Sequence, residues 1–187
     1  MKPQLLRKSS GVLSTVLPTA LAFALWAAPL AYSQKLPLTL SHGDNSFAKD
    51  AAEGGMAEVK MGQLAQSNAM NASVKMFGQR MVTDHTKMGD ELKAVASRKN
   101  IALPSEISSK QQSTYKTLSS KTGADFDKAY ISDMVKDHEE DIAAFQREAN
   151  SGSDEDLKAL ASKALPTLQE HLKMAQDIAR ELGVSVK

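Results

Sequence analysis

Cysteine is absent from all 187 residues. Disulfides, thiolate chemistry and a lipidated cysteine are thereby excluded, and stability has to come from a packed core. Aromatic residues make up 5% of the chain, and the single tryptophan, Trp26, lies in the apolar N-terminal stretch. From Gln34 onward stand only Phe47, Phe77, Phe126, Phe145, Tyr115 and Tyr130, too sparse a set for a platform that stacks bases or sugars. An excess of positive charge is missing as well. The formal charge of +1 becomes −2 once Lys2, Arg7 and Lys8 are removed with the N-terminal stretch, which argues against a nucleic-acid partner. From Phe47 onward there is no convincing apolar/polar alternation and little Val-Ile-Thr clustering, so strands are not expected.

The one long apolar run extends from Gly11 to about Ala28, behind Lys2, Arg7 and Lys8 and ahead of Ala31-Tyr32-Ser33. This order of positive, apolar and small residues predicts a signal peptide over residues 1–33, cleaved near Gln34. Pro18 and Pro29 interrupt the run, which is short for a bilayer span, and no later segment is a transmembrane candidate. The expected location is periplasmic or secreted. Residues 34–46, with Pro37, Gly43 and Asn45, read as a flexible leader, and residues 47–187 as one helical domain.

Within that domain a string repeats. Met81-Val82-Thr83-Asp84-His85 returns as Met134-Val135-Lys136-Asp137-His138, and at the same offset Lys75 matches Lys128, Phe77 matches Tyr130 and Leu92 matches Phe145. Two of the four histidines therefore hold equivalent places on two similar helices. Four helices are expected: Phe47 to Met70, capped by Ser46 or Asn45; Ala72 to Lys99, closed by Asn100; Phe126 to Ala149, capped by Asp125 or Thr122; and Ser153, with a capping box to Asp156, to about Gly183. Helical character around Ile107 to Leu118 supplies a crossover helix between helices 2 and 3, which makes those two parallel. Pro166 should bend helix 4.

Heptad-like stripes carry the ionisable residues inward. Helix 2 presents Val74, Phe77, Met81, His85, Met88, Leu92 and Val95; helix 3 presents Ile131, Met134, His138, Ile142, Phe145 and Ala149; helix 4 presents Leu157, Ala161, Ala164, Leu168, His171, Ala175 and Ile178. On helix 1, Glu58 falls in the stripe Phe47, Ala51, Gly54, Met61 and Ala65. Glu58, His85, His138 and His171 thus offer one metal-type ligand from each helix, and burying them unpaired is costly. Counted from the Gly152 turn, His171 lies about five residues further along than His138, roughly one and a half turns, which sets a second layer for His171 against a single four-ligand cluster. Asp84, Asp137 and Glu170 precede the histidines and point elsewhere, toward surface pairs or distant supporting contacts.

Two functions compete on these residues. The first is a metal-binding or metal-buffering bundle, active under envelope or metal stress. The second is a structural or interaction protein whose core histidines are simply hydrogen-bonded. Imidazole with carboxylate suits zinc or iron, whereas the methionines one turn from each ligand suit copper or merely fill the core. No serine or cysteine nucleophile stands beside an inward histidine, which points away from a hydrolase.

The strings Ala57-Glu58-Val59, Lys75-Met76-Phe77, Met81 to His85, Leu103-Pro104, Phe126 to Tyr130, Met134 to His138 and Leu165 to Leu172 resemble the bacterial family called domain of unknown function 4142. The resemblance covers nearly all of the mature chain. It implies an exported, ferritin-like, all-α protein, an up-down four-helix bundle with the crossover helix, and no established activity. Members are commonly labelled predicted outer membrane proteins, a label for which this sequence shows neither barrel pattern nor lipidation site. The Glu-x-x-His motif of carboxylate-bridged di-iron sites is missing, because Val82, Val135 and Leu168 stand three before the histidines. Ferroxidase chemistry is accordingly not expected.

Overall fold

The computed structural model describes residues 40–185, and the expected signal peptide and residues 34–39 of the leader lie outside them. Five α-helices and no strand are found among the described residues: α1 (His42–Asn68), α2 (Ala72–Lys99), α3 (Ser109–Ser119), α4 (Gly123–Ser151) and α5 (Glu155–Glu181). Helices 3 and 4 of the sequence reading are α4 and α5. No described helix is long and apolar enough to cross a membrane.

Local chemistry sets the helix ends. Asn71 accepts from the backbone of Ser73 and Val74 at 2.7 and 3.3 Å and opens α2. Asn100, in the left-handed region at φ 56°, closes it, a conformation asparagine tolerates better than most residues. Ser108 and Gln111 form a reciprocal capping box at α3. Two caps differ from expectation. The first helix starts at His42, not Phe47, because Ser41 accepts from Asp44 N at 3.0 Å, and Asp44 in turn accepts from Ser153 N at 2.9 Å. Residues that read as leader therefore form a helical turn docked on the α4–α5 connection. That bond also occupies the Ser153 amide, and Asp154 caps α5, accepting from Asp156 and Leu157 at 3.1 and 3.2 Å. The helix continues through Pro166 to Glu181.

Pairwise contacts give the directions of the helices. Glu58 meets His85 while Gly62 and Ala65 meet Gly78, so α1 and α2 are antiparallel. A Cβ on Gly62 would lie 2.6 Å from the Gly78 carbonyl oxygen, and one on Gly78 would lie 2.6 Å from Ala65 Cβ; only glycine lets these two backbones approach so closely. Across α2 and α5, Arg80 pairs with Glu170, Lys163 with Glu91 and Lys99 with Asp154, again an antiparallel order. Asn71 and Met70 donate to Asp127, and Phe77 packs on Tyr130 and His138, so α2 and α4 advance in the same direction. The α3 helix packs on α1 and α4.

The core divides along its length. Toward the α1–α2 turn, Phe77, Phe126, Tyr130, Met81, Met134, Ile131 and Ala175 are fully buried in one apolar cluster, and each large side chain there contributes roughly 1.5–3 kcal/mol. Toward the other end, Phe47 packs edge-on against Phe145 at 5.0 Å, with Ala161, Ala164 and Leu168. Between these apolar ends sits a polar layer.

Candidate metal centre

Each helix stripe contributes one residue to that layer. Glu58, His85, His138 and His171 are all buried, at 1%, 4%, 0% and 0% exposure. Their inward direction follows from the helical period, since each continues a line of buried apolar residues on its own helix. The structure brings all three histidines together: one ring nitrogen of each lies within 4.8 Å of the others, with ring centroids 5.3–5.7 Å apart. His171 is therefore not in a second layer. Counting from Gly152 misplaced it, because the α4–α5 connection is lopsided. Measured from the helix ends at Ser151 and Glu155, the offset shrinks to about three residues, less than one turn.

Hydrogen bonds on the outer nitrogens orient the rings. His138 Nδ1–H donates to the Met134 carbonyl oxygen at 2.9 Å, its own helix supplying the acceptor one turn back. His171 Nε2–H donates to Asp84 Oδ2 at 2.8 Å, and Asp84 is held in turn by Arg80, which also reaches Glu170 at 3.2 Å. These donors leave His138 Nε2 and His171 Nδ1 as lone-pair atoms, facing each other at 3.4 Å. His138 Nε2 also lies 3.4 Å from Glu58 Oε1. His85 Nδ1 approaches Glu58 Oε2 to 2.7 Å, but off the line of a hydrogen bond. Both Glu58 oxygens and His85 Nε2 are buried with no hydrogen-bond partner.

Protonation of the imidazoles does not relieve this arrangement at neutral pH. Burial, reinforced by the neighbouring imidazoles, holds His138 down to about 3. Burial likewise brings His85 and His171 to about 4. Glu58 is pushed well above the ordinary carboxyl range by burial and then by the charges of Asp137 and Asp133. For Asp84 burial works the other way, yet hydrogen bonds from Arg80 and His171 keep its carboxyl below the usual value. The layer thus has an ionised carboxylate outside, neutral imidazoles inside and no proton between the facing lone pairs.

Such a donor set can hold a cation. Three imidazoles with one carboxylate is a transition-metal set, and a histidine whose far nitrogen donates to a carboxylate or carbonyl is the usual second shell of a metal ligand. Phe77 lies edge-on or tilted to His138 and His171 at 6.3 and 6.5 Å and forms an apolar floor. A groove lined by Glu58, Asp84, His85, Met88, Asp141 and Leu168 opens onto the cluster.

Sequence reasoning placed Asp84 and Asp137 away from the histidines. On its own helix Asp84 does diverge from His85, but it reaches His171 on α5. A supporting role for the acids was foreseen only as distant contacts. Asp141 went unnoticed, although it stands four residues after Asp137 and so on the same face of α4; with Glu58 these two form a second group whose oxygens lie within 4.8 Å of one another. The methionines are in the apolar core, where Met61, Met81 and Met134 are buried; Met88 lines the groove.

The profile of the family described as domain of unknown function DUF4142 matches residues 30–178. No curated protein matches the chain. Among solved structures, a predicted secreted protein of the DUF305 family from Streptomyces coelicolor superposes with a TM-score of 0.67 at 13% identity, covering 78% of this chain and 95% of its own. A DUF305 fragment from Deinococcus radiodurans gives 0.66 at 11% identity, covering 75% and 98%. CopM in its Cu(I)-bound form gives 0.62 at 13% identity, covering 74% and 96%. At these identities the likeness is one of fold.

Proposed function

This chain belongs to the DUF4142 family of unknown function, and we propose that it is an exported metal-binding protein. It holds one zinc or copper ion through His85, His138 and His171, with Glu58 as the fourth donor. The observation that carries the reading is the pair of facing lone pairs on His138 and His171, 3.4 Å apart, with both outer nitrogens already committed as donors. Placing them so without a cation leaves buried polar atoms uncompensated. A cation satisfies both, together with the orphaned oxygens of Glu58 and the Nε2 of His85. The likeness to CopM, a structure with Cu(I) bound, supports a metal of the copper or zinc kind over iron, as does the lack of a Glu-x-x-His motif. We read the helices as a ferritin-like up-down four-helix bundle of α1, α2, α4 and α5, with α3 as the crossover. Export to the periplasm or beyond rests on the N-terminal sequence pattern, and we assign the site a buffering role under envelope or metal stress.

One observation favours the alternative, a hydrogen-bonded structural core. His85 and Glu58 lie within 2.7 Å, close enough to share a proton after a small rotation. Titration calorimetry separates the readings. Zn(II) or Cu(I) should bind the mature chain with one ion per molecule and a Kd below about 10 μM, equivalent to roughly 7 kcal/mol, and His138→Ala should abolish that binding. Proton release should accompany it, since Glu58 must ionise to ligate. No binding in the wild type, with His138→Ala only lowering the melting temperature, leaves the structural alternative standing.

A further inference from the structure

Glu58 has a second side. Asp137 and Asp141 on α4 bring carboxylate oxygens within 4.8 Å of each other and of Glu58, and Asp141 also lines the groove that opens onto the imidazoles. Among the described residues neither aspartate has a hydrogen bond or a cationic side chain within ion-pairing distance. The lysines of that face, Lys110 and Lys136, lie 3.7 and 3.8 Å from Glu140 instead. One buried group points to a missing ligand: Glu58, 1% exposed, has both oxygens without a partner. A groove lined by Asp50, Glu53, Asp133, Asp137, Glu140 and Asp141 leads from α3 to this place.

We propose that Glu58, Asp137 and Asp141 form a second cation subsite, made of oxygen donors alone and taking a hard divalent cation such as Mn(II), Mg(II) or Ca(II) from the acidic groove. Three carboxyl groups this close repel one another unless a proton or a cation lies among them. A divalent cation held among the three carboxylates removes that repulsion. Oxygen-only donor sets select hard cations, whereas the imidazole side selects zinc or copper, so one shared carboxylate separates two unlike metal preferences. The inference meets the function proposed above at Glu58 and at the groove that Asp141 shares with His85, and does not require the imidazole side to be filled.

The test uses the full mature chain and Mn(II), followed by the loss of the free-ion paramagnetic resonance signal near pH 7.5. One Mn(II) should bind per chain. Asp137→Asn with Asp141→Asn should weaken it at least about tenfold, while His171→Ala and the rim variant Glu140→Gln stay within about twofold. The double variant should also melt higher than wild type without metal, because two half-buried acids crowded against each other and Glu58 have become neutral. This second readout shows whether the variant is folded. Absence of Mn(II) binding in the wild type, or equal binding in the double variant, overturns the proposal. Mn(II) binding lost with His171→Ala but kept in the double variant overturns it as well, and places the ion among the imidazoles. Retained Mn(II) binding in a chain that takes up neither Zn(II) nor Cu(I) upholds this subsite while removing the function proposed above.

Discussion

The apolar cluster around Phe77, Phe126 and Tyr130 and the polar layer one or two turns away are built from the same helix stripes, yet they meet opposite fates. In the cluster the apolar side chains find complete contact partners, although the Tyr130 hydroxyl is left without one. In the layer, Glu58 and His85 keep buried atoms with none. Four helices with a dry core gain nothing in stability from burying three imidazoles and a carboxylate, because transfer of unpaired polar groups from water is unfavourable. The cluster therefore accounts for why the chain folds, and the layer for what the folded chain can hold.

Substitutions in the cluster should sharpen that division most strongly. Phe126, fully buried and stacked on Tyr130 at 5.4 Å, is remote from the histidines by sequence and packing. Phe126→Ala should cost about 3–5 kcal/mol of stability, measured by denaturant unfolding, with metal affinity in the folded fraction unchanged. A large loss of affinity at unchanged stability would break the division. Gly78→Ala comes next. The added methyl meets Ala65 Cβ at 2.6 Å and the Gly62 oxygen at 2.8 Å, a clash with backbone that no rotamer relieves, and about 1–3 kcal/mol should be lost.

In the layer the ordering reverses, with affinity moving more than stability. Asp84→Asn keeps the size of the side chain but removes the charge that fixes His171. Zn(II) or Cu(I) affinity should fall about 10–100-fold, read by calorimetry, while the melting temperature without metal changes little. If the two lose in step, Asp84 is a structural contact only.

The smallest effect lies at a third place, where Glu148 and Asp44 bury carboxyl groups near the start of α1. Burial, then the charge of Asp44, pushes Glu148 up to about 7. Because its folded value is raised, the native state holds the extra proton between about pH 4.5 and 7, and this contribution to stability is lost as pH rises through that window. The buried histidines act in the opposite sense. Their folded values of about 3 to 4 lie below the unfolded 6.5, so the unfolded chain binds more protons and stability falls as pH drops from about 6.5 toward 4. Glu148→Gln removes only the first trend. It should raise the melting temperature at pH 8 by about 2–4 °C relative to wild type and leave the acid-side loss intact; no difference between pH 5 and pH 8 would show that the carboxyl titrates normally.

How far these features were legible in the sequence depended on whether they arise within one helix or between helices. Helical period alone put Glu58, His85, His138 and His171 on inward stripes, and Asn100 marked the end of α2 because capping is a local matter. The start of α1 was hidden, since Asp44 is drawn into the helix by a bond to Ser153 more than a hundred residues away. Asp84 was hidden for a similar reason: it diverges from His85 on its own helix, and only the packing of α5 against α2 delivers His171 to it. The height of His171 was misjudged because a turn residue in sequence need not be the midpoint of the connection in space. Asp141 left a legible trace in its spacing of four from Asp137, but an acid on a half-buried helix face ordinarily faces water, and only Glu58 from α1 makes it part of a cluster.

X-ray absorption spectroscopy of the mature chain loaded with one equivalent of Zn(II) tests the central claim most directly, because it counts the ligands rather than inferring them. The account predicts nitrogen and oxygen donors at about 2.0–2.1 Å, with outer-shell scattering from three imidazoles that falls to two in His171→Ala. A spectrum of oxygen donors without imidazole scattering, or a protein that retains no zinc after desalting, would contradict it.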